Sequence, residues 1–229
     1  MTIYPKQKST LGREFLEKAH YNGAIRFERT ELRSGRIAPY YVQVSRLVQD
    51  GEGLSDFKDF IVRALEEYDL IHGGRARFDA VFGPAYSGIT LASQAACGIY
   101  EQYGINLPWI SNRKERKEHG RGGGFLGDIE SLKEKRCLVV EDVITAGETL
   151  QEIIRLLRDQ GMYIAGIVVL FDREERGVED QALSEIEEIA GVPAYAVSTC
   201  SGLLERLDEL GMNRESDEIR AYRKQYGFF

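Results

Sequence analysis

Two carboxylates followed by a small polar turn are the first chemistry in this chain. Residues 137–149 read CLVVEDVITAGET. An apolar run, Cys137–Val140, leads into Glu141 and Asp142 and then into Thr145-Ala146-Gly147-Glu148-Thr149, ahead of a helical pattern. Carboxylates at the end of a buried strand cost free energy unless something partners them. The turn offers backbone N–H groups and hydroxyls at a helix N-terminus, which suits a phosphate. The carboxylates would repel that phosphate, yet they suit the hydroxyls of a sugar, so a phosphorylated ribose satisfies both halves. Alone, an acidic pair before a turn also reads as a strand–turn–helix with Asp142 near the N-cap, where it contributes ~1 kcal/mol of capping. The whole string is far more specific than the pair.

A second stretch carries charge of the opposite sign. Residues 111–127 read SNRKERKEHGRGGGFLG, with no apolar side chain from 111 to 124. Arg113, Lys114, Arg116, Lys117 and Arg121 oppose Glu115 and Glu118, a local +3 within a chain of net charge −7. Glycines at 120, 122, 123, 124 and 127 free the backbone. Composition therefore describes a lid over a polyanion and, equally, a solvated charged loop. Gly122-x-Gly124-x-x-Gly127 matches a dinucleotide-binding pattern but follows a charged run rather than a strand, which removes that reading. No phosphate-binding G-x-x-x-x-G-K-[ST] loop is present, since Gly83–Gly88 is followed by Ile89. His20 and His72 have no comparable setting and read as structural or surface residues.

These stretches need a scaffold, and the rest of the chain describes one. Its 229 residues suit one domain, or one with an appended element, and suffice for a core without disulfides. Hydrophobic residues make up 43% and charged residues 29%, which excludes disordered, collagen-like and mucin-like chains. The acidic balance argues against general nucleic-acid binding, whose affinity comes mainly from phosphate neutralisation. Cys97, Cys137 and Cys200 are far apart and form no C-x-x-C, so neither a disulfide framework nor a zinc site is indicated. No apolar run reaches the ~18 residues that span a bilayer, and Met1–Lys6 lacks the apolar core of a signal peptide. A cytoplasmic protein with no membrane and no nucleic-acid partner is expected.

The spacing predicts a helix over 9–21 capped by Ser9 or Thr10, two short strands over 24–45 around a turn at Ser34-Gly35, and a helix over 53–68. Beyond Asp79, apolar runs at 79–83, 107–110, 137–140, 165–171 and 192–197 alternate with helical patterns at 89–103, 149–160 and 182–190. That alternation implies parallel βαβ units with both sheet faces covered. The first ~70 residues do not follow it and read as a small subdomain capping the core. The expected division is residues 1–70 as hood elements and 71–229 as an α/β core with C-terminal helices. Open parallel sheets bind ligands at the carboxyl ends of their strands, which points to the loops 83–88, 111–127, 141–149 and 172–177.

Val139–Thr149 resembles the phosphoribosyl-pyrophosphate (PRPP) motif of type I phosphoribosyltransferases. The resemblance implies an α/β fold, a parallel sheet flanked by helices with a small N-terminal hood. It places Glu141 and Asp142 on the ribose hydroxyls, and Val143, Ile144, Thr145, Ala146, Gly147, Glu148 and Thr149 around the 5′-phosphate. Asn112–Gly120 narrows the resemblance to the orotate phosphoribosyltransferases. The matching family residues contact pyrophosphate and PRPP, partly across a dimer interface, and correspond to Arg113, Lys114, Lys117 and His119. Glu31–Tyr41 resembles the family's N-terminal hairpin, whose aromatic positions meet orotate and correspond to Tyr41 and Val42. Phe82–Ile89 resembles the first core loop, with Tyr86 and Ser87 at PRPP. Asp172–Gly177 resembles the stretch whose first arginine, here Arg173, binds the orotate carboxylate, as a guanidinium fork would. Thr145 stands where the family also contacts orotate.

Three positions depart from the family: Arg33 and Ser87 stand where lysines are usual, and Val42 where an aromatic is. Arg33, which the resemblance places at PRPP, keeps the charge but not the compact ammonium. The resemblance covers about residues 25–180. It implies transfer of ribose 5-phosphate from PRPP to N1 of orotate, with Lys114, Lys117, His119 and Asp142 as the catalytic set. Mg²⁺ is implied as cofactor, held mainly through PRPP and water rather than by direct protein ligands, and the implied assembly is a homodimer with shared sites. The alternatives are a phosphoribosyltransferase for another base, against which Arg113–Gly120 argues, and a PRPP-binding regulator without catalysis.

Overall fold

The computed structural model describes residues 10–115 and 124–228. The chain opens with α1 (Thr10–Tyr21) and four two-residue strands, β1 (Ile25–Arg26), β2 (Thr30–Glu31), β3 (Ile37–Ala38) and β4 (Tyr41–Val42). A short 3-10 turn (Val44–Val48), α2 (Gly51–Glu67) and a small hairpin of β5 (Ile71–His72) and β6 (Arg75–Ala76) precede the main sheet. Then follow β7 (Ala80–Phe82), α3 (Ser87–Tyr103), β8 (Trp109–Asn112), β9 (Phe125–Leu126) and β10 (Arg136–Ile144). The chain continues through α4 (Glu148–Asp159), β11 (Tyr163–Asp172), α5 (Ala182–Ala190) and β12 (Ala194–Thr199), and ends with α6 (Cys200–Glu209) and α7 (Asn213–Tyr226).

The apolar runs become the sheet because its strands are covered on both faces, which removes any polar alternation. Leu138 and Val140 pack with α1, α2 and α3 on one face, while Cys137 and Val139 pack with α4 and α5 on the other. The helices α1 and α2 thus share one core with α3, α6 and the sheet. Asp50, not predicted as a cap, starts α2 by accepting from Gly53 N at 2.9 Å. The strand order is β12-β11-β10-β7-β8-β9. Every pair is parallel except β8 with β9, where Ser111 and Asn112 meet Leu126 and Phe125. This antiparallel edge was not legible in the sequence, because it is formed by the two ends of the basic stretch.

Chain order runs one way from β7 to β8 and the other way from β10 through β11 to β12. The reversal falls between β7 and β10, which leaves a crevice at their carboxyl ends. Beside that crevice stand residues 25–42. The predicted pair of strands is instead two nested ladders, β1 with β4 and β2 with β3. Pro39, which has no N–H to donate, interrupts the pairing between them. The turn lies where expected: Gly35 N donates to Leu32 O at 2.8 Å.

Candidate active site

The site is built from strand ends. The strand β10 runs four residues past Val140, because Val143 and Ile144 continue the ladder opposite Phe171 and Asp172. The acidic pair therefore lies within the strand rather than beyond it. Glu141 is buried and Asp142 half-buried. The Glu141 carboxyl accepts from Asp142 N at 3.0 Å, and the Asp142 carboxylate from Val143 N at 2.8 Å. Burial, and then the like charge of Asp142, push the Glu141 carboxyl well above the usual carboxylate range, while Lys114 opposes the shift.

Asp142 does not cap α4. The N-cap is Gly147, in the left-handed region at φ 83°, with no side-chain cap. Glycine adopts that conformation without strain, and the first-turn N–H groups of α4 stay available to an anion. Across the crevice, Gly83 and Gly88 approach so closely that a Cβ on Gly83 would stand 1.8 Å from Gly88 O. Tyr86, exposed, and Ser87, half-buried, follow at the start of α3. Asn112 Oδ1 accepts from Ala85 N at 2.9 Å and ties this turn to β8. The Lys114 ammonium lies 4.6 Å from the centre of the Tyr86 ring. Arg113 closes the base of the basic stretch, its backbone N donating to Gly124 O at 2.6 Å and its Nε to Phe125 O at 3.0 Å. Lys117 and His119 lie outside the described residues.

Arg33 reaches from the turn between β2 and β3, donating from Nη1 to Thr149 Oγ1 at 3.0 Å, with Glu152 at 3.4 Å from Nη2. Arg173 follows β11, and its backbone N donates to Ile144 O at 3.2 Å. Its side chain is buried, with Nε 2.6 Å from Glu175 Oε1 and the guanidinium 4.0 Å from the Tyr40 ring centre. Its Nη2 is buried with no hydrogen-bond partner. Tyr41 packs against a small cluster of Leu32, Ala38 and Tyr222. Val42 is 4% exposed and belongs to the core, leaving its backbone as the part able to meet a ligand.

The structure thus gathers Lys114, Tyr86 and Glu141 at one place, Arg33 and Thr149 at a second, and Arg173 with the hairpin aromatics at a third. Sequence reasoning missed Glu175, Arg36 and Tyr222 around Arg173. Arg36 and Glu175 lay within stretches already singled out, Glu31–Tyr41 and Asp172–Gly177, but neither had been given a role. Among the described residues no group of three His, Cys, Asp or Glu gathers to cage a metal. Two adjacent carboxyl groups beside a turn suited to a phosphate instead fit a hard cation that keeps its waters and borrows phosphate oxygens.

The phosphoribosyl transferase domain model matches residues 57–196. The orotate phosphoribosyltransferase of Pseudomonas syringae pv. tomato is 36% identical over 217 residues, 94% of this chain and 97% of that one. That of Acinetobacter baumannii is 34% identical over 214 residues, 93% and 94% of the two chains. The crystal structure of the Francisella tularensis orotate phosphoribosyltransferase superposes with a TM-score of 0.74 at 28% identity, covering 93% of this chain and 99% of that one. The chain belongs to the phosphoribosyltransferase family and, within it, to the orotate phosphoribosyltransferases.

Proposed function

We propose that this enzyme transfers the 5-phosphoribosyl group of PRPP to N1 of orotate, giving orotidine 5′-monophosphate and pyrophosphate in pyrimidine nucleotide (UMP) synthesis. One observation carries the reading: at the point where the strand order reverses, an acidic strand end and an uncapped helix N-terminus stand one strand away from a buried guanidinium. An acidic edge for ribose, an anion cradle for phosphate and a fork for a base carboxylate are the three recognition elements the reaction requires.

Positive charge grows on the sugar as C1 loses pyrophosphate, and negative charge grows on the leaving group, so catalysis is mostly charge placement. Asp142 and Glu141 hold the ribose hydroxyls. Those hydroxyls, donating to Glu141, favour the ionised carboxylate that burial disfavours. The backbone of Thr145–Thr149 binds the 5′-phosphate. Arg33, Tyr86, Ser87, Arg113, Lys114, Lys117 and His119 surround the pyrophosphate and exclude water that would hydrolyse the activated sugar. Tyr41, Thr145, the Val42 backbone and Arg173 orient orotate. Glu141 and Asp142 would hold, through water, a Mg²⁺ brought with PRPP, which would supply positive charge toward the pyrophosphate. The hairpin of residues 25–42 is one of the hood elements assigned to residues 1–70, and the working unit is a homodimer with shared sites. Among the described residues no helix is long and apolar enough to cross a membrane, which fits a cytoplasmic enzyme.

A coupled assay with PRPP and either orotate or uracil tests the reading. Orotate is expected to react and uracil very poorly, because uracil leaves the buried guanidinium unpaired. Comparable kcat/KM for the two bases would overturn the assignment.

A further inference from the structure

Glu175 has no solvent exposure, and a buried carboxylate persists only when fully partnered. Three donors meet it. Arg173 Nε at 2.6 Å and the Tyr222 hydroxyl at 2.9 Å donate to Oε1, and Arg36 Nη1 at 2.7 Å to Oε2. These groups come from the β2–β3 turn, the segment after β11, and α7. The end of α7 is stitched to the same segment: Arg176 N donates to Tyr226 O at 2.8 Å, and Phe228 N to Glu174 O at 3.1 Å.

The consequence falls on Arg173. Its guanidinium is planar, so fixing Nε against Glu175 and one face against the Tyr40 ring at 4.0 Å leaves it a single orientation. In that orientation Nη2 is buried and unpartnered. A buried donor left empty is destabilising and calls for a reason. Two guanidiniums share one carboxylate here, while the oxygens of neighbouring Asp172 accept from Gln181 Nε2 at 2.8 Å and Glu174 N at 2.7 Å. The cluster therefore has a donor and positive charge to spare for one more carboxylate.

We propose that Glu175, braced by Arg36 and Tyr222, is the positioning residue that aims Arg173 at the carboxylate of the base, so that α7 takes part in substrate choice. This rests on the function proposed above. Glu175 does not touch the substrate; it acts by removing the other rotamers of a long cationic side chain.

The test is steady-state kinetics on the full-length enzyme, with KM measured separately for orotate and PRPP, and with uracil turnover measured at high enzyme concentration. Glu175→Gln is expected to raise the orotate KM at least tenfold, to leave the PRPP KM within twofold, and to contract the orotate-over-uracil preference by the same tenfold. Tyr222→Phe, which keeps the ring and removes one hydrogen bond, is expected to give about a threefold change in the same direction. A merely structural role would lower the melting temperature and affect both substrates alike; that outcome, or an unchanged preference in the folded variants, overturns the proposal. If Glu175→Gln does not fold, Tyr222→Phe decides. Arg173→Lys separates the two levels. If it leaves the preference for orotate intact, the reading of Arg173 falls and the positioning role with it. If it contracts the preference while Glu175→Gln and Tyr222→Phe do not, the positioning role alone is wrong.

Discussion

Glu141 and Arg173 are buried charged groups at the carboxyl ends of neighbouring strands, and the protein holds them by opposite means. Arg173 meets a carboxylate and the faces of two tyrosines, Tyr40 and Tyr222, before any ligand arrives. Glu141 meets a backbone N–H and a second carboxyl group, so burial and repulsion push it toward its neutral form. The guanidinium end is preorganised, which lowers the ordering cost of binding and sharpens selection. The acidic end is only partly compensated, by Lys114 and one backbone N–H, and it becomes favourable as hydroxyl donors and growing positive charge arrive. Interactions that strengthen along the reaction are the ones that raise turnover. Under the proposed function, the contrast would place specificity at one strand end and rate at the other.

The largest effect is expected where rate is assigned. Asp142→Asn preserves size and should leave the melting temperature nearly unchanged, yet lower kcat by about a hundredfold, the scale of losing one or two charge-assisted hydrogen bonds. Near-normal turnover in the folded variant would break the contrast. Subunit mixing sharpens it further, by asking whether the acidic end is completed by its own chain. Inactive Lys117→Ala and inactive Asp142→Asn proteins, mixed in equal amounts, should regain activity approaching a quarter of wild type, because about half the dimers are hybrid and each has one intact site of two. No recovery despite demonstrated subunit exchange would place Lys117 in its own subunit's pocket.

A smaller effect is expected at the exposed edge between the two ends. Arg33→Ala should raise the PRPP KM about threefold and leave stability unchanged, since exposed ion pairs contribute little. A drop in orotate affinity alone would move Arg33 from the phosphate side to the base side. The smallest effect concerns Asp172, which burial pushes up to about 7 from the ordinary 3.8. The folded protein then binds that proton more tightly than the unfolded chain, so stability falls as pH rises from about 4 to about 7. Asp172→Asn should melt with wild type at the acid end and a few degrees above it at pH ~8, by differential scanning calorimetry across pH. A gap that does not widen with pH would remove Asp172 as a source of the pH dependence.

Much of the sheet was legible because parallel strands covered on both faces leave an unmistakable trace, short β-rich runs at intervals filled by helical periodicity. The ends of those runs were less legible. Val143 and Ile144 extend β10 only because β11 is long enough to pair with them. The two nested ladders of residues 25–42 read as one hairpin, since nothing local distinguishes a ladder from its interruption. The acidic pair and the turn that follows were visible as a contiguous string whose chemistry is local: strand, carboxylates, glycine, helix start.

The sequence by itself determined the class of fold, the acidic edge, the glycine at the helix start and the basic stretch, because each is a property of neighbouring residues. It named Arg173 as a fork for a carboxylate but gave the neighbours of that arginine no role. Tertiary structure decided that this arginine is buried, that Glu175 is its counter-charge, and that Arg36 and Tyr222 complete the set from two distant parts of the chain. The physical reason is that the free energy of a buried charge depends on what surrounds it in three dimensions, and a string of residues records spacing along one.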